Sequence, residues 1–378
     1  MNEQPAAKTV SRAHREPLVR IAMRDTVSFG KKAAVRAAAI GAALILDAIF
    51  IVIVTRLNPI AVYKEIVLAS FGTPLRFMWM VRDLAALLCI GIALAPAFKM
   101  RFWNIGAEGQ VLMGGMATAM CMLFLGSKLP TPLLFLVMVL TSLLAGALWS
   151  FIPAFFKAFW NTNETLFTLM MNYVAIQIVA YATNIWRGQA SSLGMINMGT
   201  KAGWFPKLFG YDFSLNIIIV VVLTVLMYIY LRFTKHGYEI SVVGESERTA
   251  RYAGIDVKKV TIRTLLLSGA ICGLCGFIIV AGNKHTISTN TAGGDGFTAI
   301  IVAWLAKFNT FYMALISFLL IFLEKGAGQI ASTYGLNEYI SDIISGIILF
   351  CILGSEFFIR YKMIFRHKSE EGKEGEDK

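Results

Sequence analysis

The chain has 378 residues, of which 57% are hydrophobic and only 15% are charged, and its formal net charge is +12. A soluble domain carries roughly 25% charged residues, so this composition excludes a large soluble catalytic domain and places most of the chain in lipid. The positive charge fits a membrane protein with basic cytoplasmic loops better than a nucleic-acid-binding protein.

The two ends of the chain are predicted to be charged cytoplasmic tails around one transmembrane domain. Residues 1–36 are polar and basic, and they form either a solvated tail or, in part, an amphipathic surface helix. They do not read as a signal peptide, because no small-residue cleavage site follows the first apolar run. We therefore predict a tail at 1–36, a transmembrane domain at 37–359 and a second tail at 360–378.

The apolar runs of the transmembrane domain predict an all-α, polytopic architecture. The first span is predicted at 37–55 and contains Asp47. Breaker residues such as Pro59 and Pro74 predict an external loop at 56–77. Six further spans follow in the first three quarters of the chain, at 78–98, 105–125, 133–156, 164–186, 214–231 and 264–282. Arg82 and Asp83, near the outer end of the second span, could form a local ion pair or belong to the pathway. Because adjacent side chains point apart on a helix, separate partners are favoured.

The stretch after the seventh span predicts a broken or re-entrant helix. Residues 283–297 are too polar to cross lipid, and the apolar run at 298–306 is too short to cross alone, because a crossing needs about 20 residues. Such backbone is tolerated at membrane depth only where protein or water surrounds it. Two more spans, at 311–328 and 339–359, complete a count of about ten transmembrane helices.

The orientation follows from the basic residues. With both termini in the cytoplasm, most of the 35 Lys and Arg residues fall in internal segments, as the positive-inside rule requires. The longest internal loop is then 232–263, and the external segment at 187–213 is long enough to touch a partner protein.

Polar residues cluster where two of the spans begin. The third span opens with Asn104, Glu108 and Gln110, and the fifth opens with Asn163 and Glu164, with Asn172 two turns further along. A carboxylate at membrane depth normally faces a polar interior or a water-filled path, and amides suit a neutral polar solute because they donate and accept hydrogen bonds. Gln177 and Asn184 continue this polar face after Asn172 along the fifth span. The alternatives are that the carboxylates stabilise helix N-termini, and that Asn172, Gln177 and Asn184 tie helices together.

No sequence motif for catalysis or for a metal centre is present. The chain contains no phosphate-binding glycine loop, no zinc helix and no nucleophile elbow, and its four histidines are scattered. All five cysteines lie in apolar runs, where they behave as small hydrophobes. Cys272 and Cys275 have the spacing of metal ligands, but no other His or Cys pair accompanies them.

Two further segments have a clear physical pattern. Gly269, Gly273 and Gly276 form a small-residue stripe on the seventh span, which permits close helix packing. Residues 244–256 form a charged, helix-like run with Ala250 on its apolar side and a stop at Gly254, which predicts an amphipathic cytoplasmic loop.

These segments together resemble a known family. The run Asn-Ile-Gly-Ala-Glu-Gly-Gln at 104–110 resembles the hallmark of nucleoside-type permeases of ATP-binding-cassette (ABC) importers, whose relatives carry simple sugars and branched-chain amino acids. The segments at 163–173, 244–255, 268–276 and 294–303 are similar to the parts of those permeases that follow. The resemblance extends from about residue 80 to residue 355.

The resemblance implies a transport subunit of the cell membrane rather than an enzyme. It implies half of a translocation pathway for a nucleoside, with a purine nucleoside favoured, beside a second permease subunit that is homologous or identical. Two cytoplasmic ATP-binding subunits would drive the pathway, and an extracytoplasmic solute-binding protein would supply it, so this chain would bind no cofactor itself. ATPase coupling is placed at Gly244, Glu245, Arg251 and Gly254, and at the turn around Lys307.

Other functions remain open at this point. The solute of an ABC permease with this sequence could instead be a simple sugar or a riboflavin-like molecule. An ion-coupled secondary transporter would need ionisable residues deep in spans, and the candidates are Asp47, Glu324 and Asp342. A membrane scaffold or an intramembrane enzyme is a third possibility, and the latter would need a nucleophile or metal cluster that the sequence lacks.

Overall fold

The computed structural model describes residues 19–23, 28–208, 210–211 and 213–365. It divides into two compact units, one formed by Met1–Val62 with Asn337–Lys378 and the other by Tyr63–Leu336. Within the described ranges, nine helices are long and apolar enough to cross a membrane, and one apolar helix of 11 residues is too short to do so. The prediction of an all-α polytopic membrane protein with one short, broken segment is therefore confirmed.

The first unit is built on two long helices, α1 (Phe29–Thr55) and α13 (Glu338–Arg360), which pack against each other. Strand β1 (Val19–Met23) pairs antiparallel with β2 (Tyr361–Phe365), and Arg36 contacts Glu356 at 3.4 Å. Helix α1 begins earlier than the predicted span at residue 37, because the basic residues of this segment are good helix formers that extend the apolar run. Both strands fall in the two segments that were predicted as tails.

Helix α2 (Pro59–Phe71) occupies most of the segment predicted as an external loop, so that part of the prediction is wrong. Pro59 and Pro74 do not break helices here, because each one stands at the first position of a helix, where its missing N–H costs nothing.

The second unit contains the remaining helices. In chain order they are α3 (Pro74–Lys99), α4 (Ala107–Leu125), α5 (Thr131–Trp160), α6 (Glu164–Arg187), α7 (Ser214–Phe233), α8 (Lys235–Glu245), α9 (Glu247–Tyr252), α10 (Val257–Ile279), α11 (Asp295–Leu305) and α12 (Thr310–Tyr334). A π-helical turn at Val280–Lys284 ends α10. Polar side chains cap several of these helices at their first turn, among them Thr73, Asn163, Thr234, Ser246, Asp256 and Asn309.

Helix α10 lies at the centre of the second unit, packed against α3, α4 and α5. A methyl group at Gly273 would collide with the backbone of Ser142 on α5, and one at Gly276 would collide with the backbone of α4. The Ser150 hydroxyl also donates to the Leu265 carbonyl across the α5–α10 contact, at 2.5 Å. The predicted small-residue stripe therefore lets three helix backbones approach closely.

One end of this unit, which we call the basic end, collects several helix termini. Lys99 at the end of α3 donates to the Leu231 carbonyl of α7 at 3.1 Å, and Lys258 at the start of α10 lies 4.8 Å from the centre of the Phe159 ring on α5. Trp103, just before α4, stacks on Trp304 of α11 with ring centres 4.9 Å apart. Helices α3, α5, α7 and α11 therefore end where α4, α6, α10 and α12 begin.

Candidate functional site

Glu108 joins the starts of two helices. It lies in the first turn of α4 and is 6% exposed. One carboxylate oxygen accepts the N–H of Gly294 at 3.0 Å, and the other accepts the N–H of Gly296 at 2.9 Å, at the start of α11. Both helix N-termini favour a negative charge at this point. Any side chain at Gly296 would collide with Glu108, which explains the glycine.

Asn104 and Gln110 form a reciprocal amide pair beside Glu108. The Gln110 amide donates to the Asn104 side-chain oxygen at 3.2 Å, and the Asn104 amide donates back at 3.4 Å. The Asn104 amide also lies 3.4 Å from the Ser268 hydroxyl of α10. Both amides are fully or almost fully buried. They therefore bind α4 to its own approach segment and to the central helix.

Asn172 binds α6 to the start of α4. Its amide donates to the Ile105 carbonyl at 2.8 Å, and its side-chain oxygen accepts the Gly109 N–H at 2.9 Å. Thr168, one turn earlier, accepts the Ile105 N–H at 3.1 Å. Four of the six predicted pathway residues therefore meet in one cluster, the α4 junction, which comprises Asn104, Glu108, Gln110 and Asn172.

The other two predicted pathway residues lie elsewhere, at the basic end. Asn163 caps α6 by accepting the Leu166 N–H at 3.2 Å, and the Glu164 carboxylate pairs with Lys157 at 2.8 Å. They are therefore close to each other but do not belong to the α4 junction.

A second cluster of charged residues joins α3 to α12, and the contact between these two helices was not predicted. Arg82 donates to Asp83 at 2.7 Å, although adjacent residues were expected to have separate partners, and Asp83 also pairs with Lys325 of α12. The signal in the sequence was Lys325 itself, a cation inside an apolar run, which requires a partner.

An open cleft of about 670 Å³ lies along the second half of α6, away from the basic end. Gln177, Tyr181, Asn184 and Arg187 line one side, and the loop that follows the π-helical turn lines the other, with Ser288 among its residues. We call it the outer cleft. The carboxamides of Gln177 and Asn184 are exposed and make no hydrogen bond to any other residue that the structure describes. Their helical spacing was visible in the sequence, but their exposure was not.

The loop at 285–294 connects the outer cleft to Glu108. Lys284 holds it by donating to the carbonyls of Asn290 and Thr291 at 3.2 and 2.9 Å. On its other side, Trp204 stacks on His285 with ring centres 3.8 Å apart. The loop ends at Gly294, whose φ of +86° suits glycine and whose N–H binds Glu108. One wall of the cleft is therefore continuous with the α4 junction.

A sequence profile of the family described as "Branched-chain amino acid transport system / permease component" matches residues 79–353. The chain belongs to this family. The match includes all the helices of the permease that build the α4 junction and the outer cleft, whereas α1 and α2 lie outside it.

Three relatives illustrate what this permease is similar to. The guanosine ABC transporter permease protein NupP of Bacillus subtilis is 29% identical, over 75% of this chain and 82% of NupP. The glucose ABC transporter permease protein TsgB13 of Haloferax volcanii is 28% identical, over 73% of this chain and 76% of TsgB13. The nucleoside ABC transporter permease protein NupB of Lactococcus lactis is 25% identical, over 78% of this chain and 84% of NupB. The chain is therefore an ABC transporter permease, a multi-pass protein of the cell membrane and a transport subunit.

The predicted coupling residues of the permease lie together at the basic end. Gly244 is buried, and a side chain there would collide with the Lys99 carbonyl, whereas Glu245, Arg251 and Gly254 are exposed. Lys307 is exposed and lines a cavity of about 220 Å³ together with Lys99. The two segments that were predicted to couple to the ATPase, the loop with Gly244 to Gly254 and the turn at Lys307, are therefore neighbours around the end of α3.

Two residues add to this surface. Tyr252 is 94% exposed at the end of α9, which is unusual for an aromatic side chain and was not singled out from the sequence. Asp256 caps α10, and the pKa of its carboxylate is lowered mainly by the hydrogen bond from the Lys259 backbone N–H. The capping carboxylate is therefore ionised at neutral pH.

Proposed function

We propose that this permease forms half of the translocation pathway of an ABC importer for a nucleoside, with a purine nucleoside favoured. Two relatives whose names state guanosine or nucleoside transport support this proposal, each over about three quarters of the chain. The observation that carries it is the outer cleft, in which exposed carboxamides stand on an apolar helix. Lipid offers such groups no hydrogen bonds, so they require a solute, water or another protein.

Each proposed partner protein is assigned to a different part of the permease. A second permease subunit, homologous or identical, is proposed to face α6 and complete the pathway. Two cytoplasmic ATP-binding subunits are proposed to dock at the basic end, which the positive-inside rule assigns to the cytoplasm together with both termini. An extracytoplasmic solute-binding protein would deliver solute to the opposite end. ATP would be used by the partner subunits, and the chain itself would bind no metal or cofactor.

The six residues predicted for the pathway take different roles in this proposal. The α4 junction acts by holding α4, α6, α10 and α11 in register, since its hydrogen bonds are made within the chain. Asn163 and Glu164 stand at the basic end, where solute would leave the pathway. Gly244 supports the docking surface from inside, while Glu245, Arg251, Gly254 and Lys307 contribute to its exposed part.

Two other solutes and one other mechanism are the alternatives. The similarity to a glucose permease favours a simple sugar as the second candidate solute, and a riboflavin-like ring molecule is a third. An ion-coupled transporter would use the charges near Asp83, or Asp47, whose carboxylate is buried on α1 and has no hydrogen-bond partner among the described residues.

The test is transport by the purified complex in lipid vesicles. The permease is co-expressed with its partner permease, ATPase and solute-binding protein, and ATP hydrolysis and uptake are measured with guanosine, adenosine, uridine, glucose, ribose and riboflavin. Stimulation of ATP hydrolysis and uptake by purine nucleosides supports the proposal. Stimulation by a sugar or a flavin alone would show that the solute is not a nucleoside, while the importer mechanism would stand. Uptake that follows an ion gradient without any ATPase subunit would overturn the importer mechanism itself.

A further inference from the structure

We infer that the outer cleft is a recognition site for a purine nucleoside, in which Gln177, Asn184 and Arg187 contact the edge of the base and Tyr181 contacts its face. The inference rests on the proposed function and assigns the solute contacts to residues outside the six that were predicted for the pathway.

The volume and the lining of the cleft fit a neutral solute of this size. Its volume of about 670 Å³ lies within the roughly 300–1,000 Å³ of ligand pockets. Carboxamide and hydroxyl groups supply both donors and acceptors, and Arg187 is the one charged residue among the described residues that line the cleft. Because none of these described residues carries a carboxylate, they offer a cationic solute no counter-charge. A neutral molecule with several polar atoms is therefore the best match.

The spacing of the polar side chains along α6 fits a nucleoside better than a single sugar. Gln177, Tyr181 and Asn184 stand at positions i, i+4 and i+7, so they project from one face of the helix. At 1.5 Å of rise per residue, the two carboxamides are about 10 Å apart along the axis. One six-membered sugar ring is too short to bridge that distance, whereas a base and its ribose are two ring systems in line.

The side chains on this face match a purine base better than a pyrimidine base. Carboxamides of Asn and Gln bind the N6 and N7 edge of adenine with two hydrogen bonds, and Arg binds O6 and N7 of guanine in the same way. Tyr181 is 70% exposed, so its ring face is available for stacking. Arg187 donates one hydrogen bond to the Ser191 carbonyl at 2.9 Å, which orients the guanidinium and leaves its other donors for a base.

The opposite wall supplies groups for the ribose. Ser288 and Thr289 line the cleft from the loop at 285–294, and the loop is held in place by the Thr291 hydroxyl, which accepts the Ser288 N–H at 2.7 Å. Serine and threonine hydroxyls donate and accept hydrogen bonds, as the ribose hydroxyls do. The site therefore offers a base-binding wall on α6 and a ribose-binding wall on the loop.

The experiment measures uptake by the complete reconstituted complex, with guanosine, 7-deazaguanosine and uridine as probes. Gln177→Ala and Asn184→Ala remove one carboxamide each, Tyr181→Phe keeps the ring, and Tyr181→Ala removes it. Ile185→Ala is the matched control, because Ile185 is exposed on the same part of α6 but does not line the cleft. Membrane expression and basal ATP hydrolysis are measured for every variant.

We expect either carboxamide variant to raise the KM for guanosine by roughly twofold to tenfold, because each variant loses a hydrogen bond that contributes about 0.5–1.5 kcal/mol. Each carboxamide variant should also show a smaller preference for guanosine over uridine. Tyr181→Phe should keep a KM for guanosine near that of the wild type, whereas Tyr181→Ala should raise it. The wild-type complex should transport 7-deazaguanosine less well than guanosine, because that analogue lacks the N7 acceptor.

Three results would overturn the inference, and they are distinguishable. If the wild type transports guanosine and the cleft variants keep the KM and the purine preference of Ile185→Ala, the site is elsewhere but the proposed function stands. If the variants lose the second permease subunit during purification, the face is a subunit interface. If the wild type transports no nucleoside, the proposed function fails and this inference fails with it.

Discussion

The substitution Glu108→Gln tests the α4 junction directly. The carboxylate uses both oxygens to accept backbone N–H groups at the start of α11. A carboxamide of the same size has one acceptor oxygen, and its NH2 group would point at the second N–H. One charge-assisted hydrogen bond is therefore lost and the other becomes neutral. Because a hydrogen bond to a charged group contributes about 1.5–3 kcal/mol, we expect a loss of roughly 2–4 kcal/mol in the free energy of unfolding.

The assay compares thermal unfolding in detergent with uptake in vesicles. Glu108→Gln should reach the membrane in normal amounts, unfold several degrees below the wild type and transport less solute. The control for stability is Glu164→Gln, the same change in the first turn of α6. The Glu164 side chain is partly exposed, and among the described residues its carboxylate pairs with Lys157, so the loss of this pair should cost at most about 1 kcal/mol.

Two outcomes would contradict this reasoning. If Glu108→Gln unfolds at the same temperature as Glu164→Gln and transports normally, the two hydrogen bonds contribute nothing measurable. If it keeps its stability but loses uptake, the carboxylate contacts the solute and the junction is part of the pathway lining rather than its support.

Further substitutions test other parts of the second unit. Asp83→Asn should destabilise the permease by less than the roughly 3–5 kcal/mol of a fully buried pair, because its side chain is 22% accessible. The double variant with Lys325→Gln should lose less than the sum of the single losses, and strict additivity in the double-mutant cycle would show that the pair is not coupled. Gly273→Ala should lower the unfolding temperature and reduce the free energy of unfolding by about 1–3 kcal/mol, because the added methyl group collides with Ser142. Gly328→Ala on α12 is the control, because a methyl group there meets no atom within 4 Å. Equal unfolding temperatures for the two variants would argue against the close packing at Gly273. Arg251→Glu reverses an exposed charge at the basic end and should reduce co-purification of the ATPase without changing stability, and an undiminished ATPase yield would remove this residue from the docking surface.

The sequence predicts the spans and the broken segment well, because both depend on properties that are local in the chain. Runs of about 20 apolar residues have few stable conformations in lipid other than a helix. A polar stretch followed by a short apolar run leaves few alternatives to a re-entrant segment, and α11 is indeed only 11 residues long. The stripe at Gly269, Gly273 and Gly276 also follows from local spacing.

The same reasoning does not predict which residues contact each other across long distances in the chain. Glu108 and Gly294 are 186 positions apart in the chain, and nothing local to either residue indicates that they meet. The carboxylate was recognised as unusual, yet its partners could not be named. Asn172 and Gln177 illustrate the same limit, since both are amides on one helix. One is buried against α4 and the other is exposed in the outer cleft, and only the packing separates them.

The saturation of the α4 junction has a consequence for the ion gradients of the cell. A proton that crosses a membrane protein moves between polar groups or water molecules that can pass it on. Asn104 and Gln110 bind each other, and each oxygen of Glu108 accepts a backbone N–H. Because these side chains are engaged within the chain, the junction offers few free groups for a proton to follow beside the solute pathway.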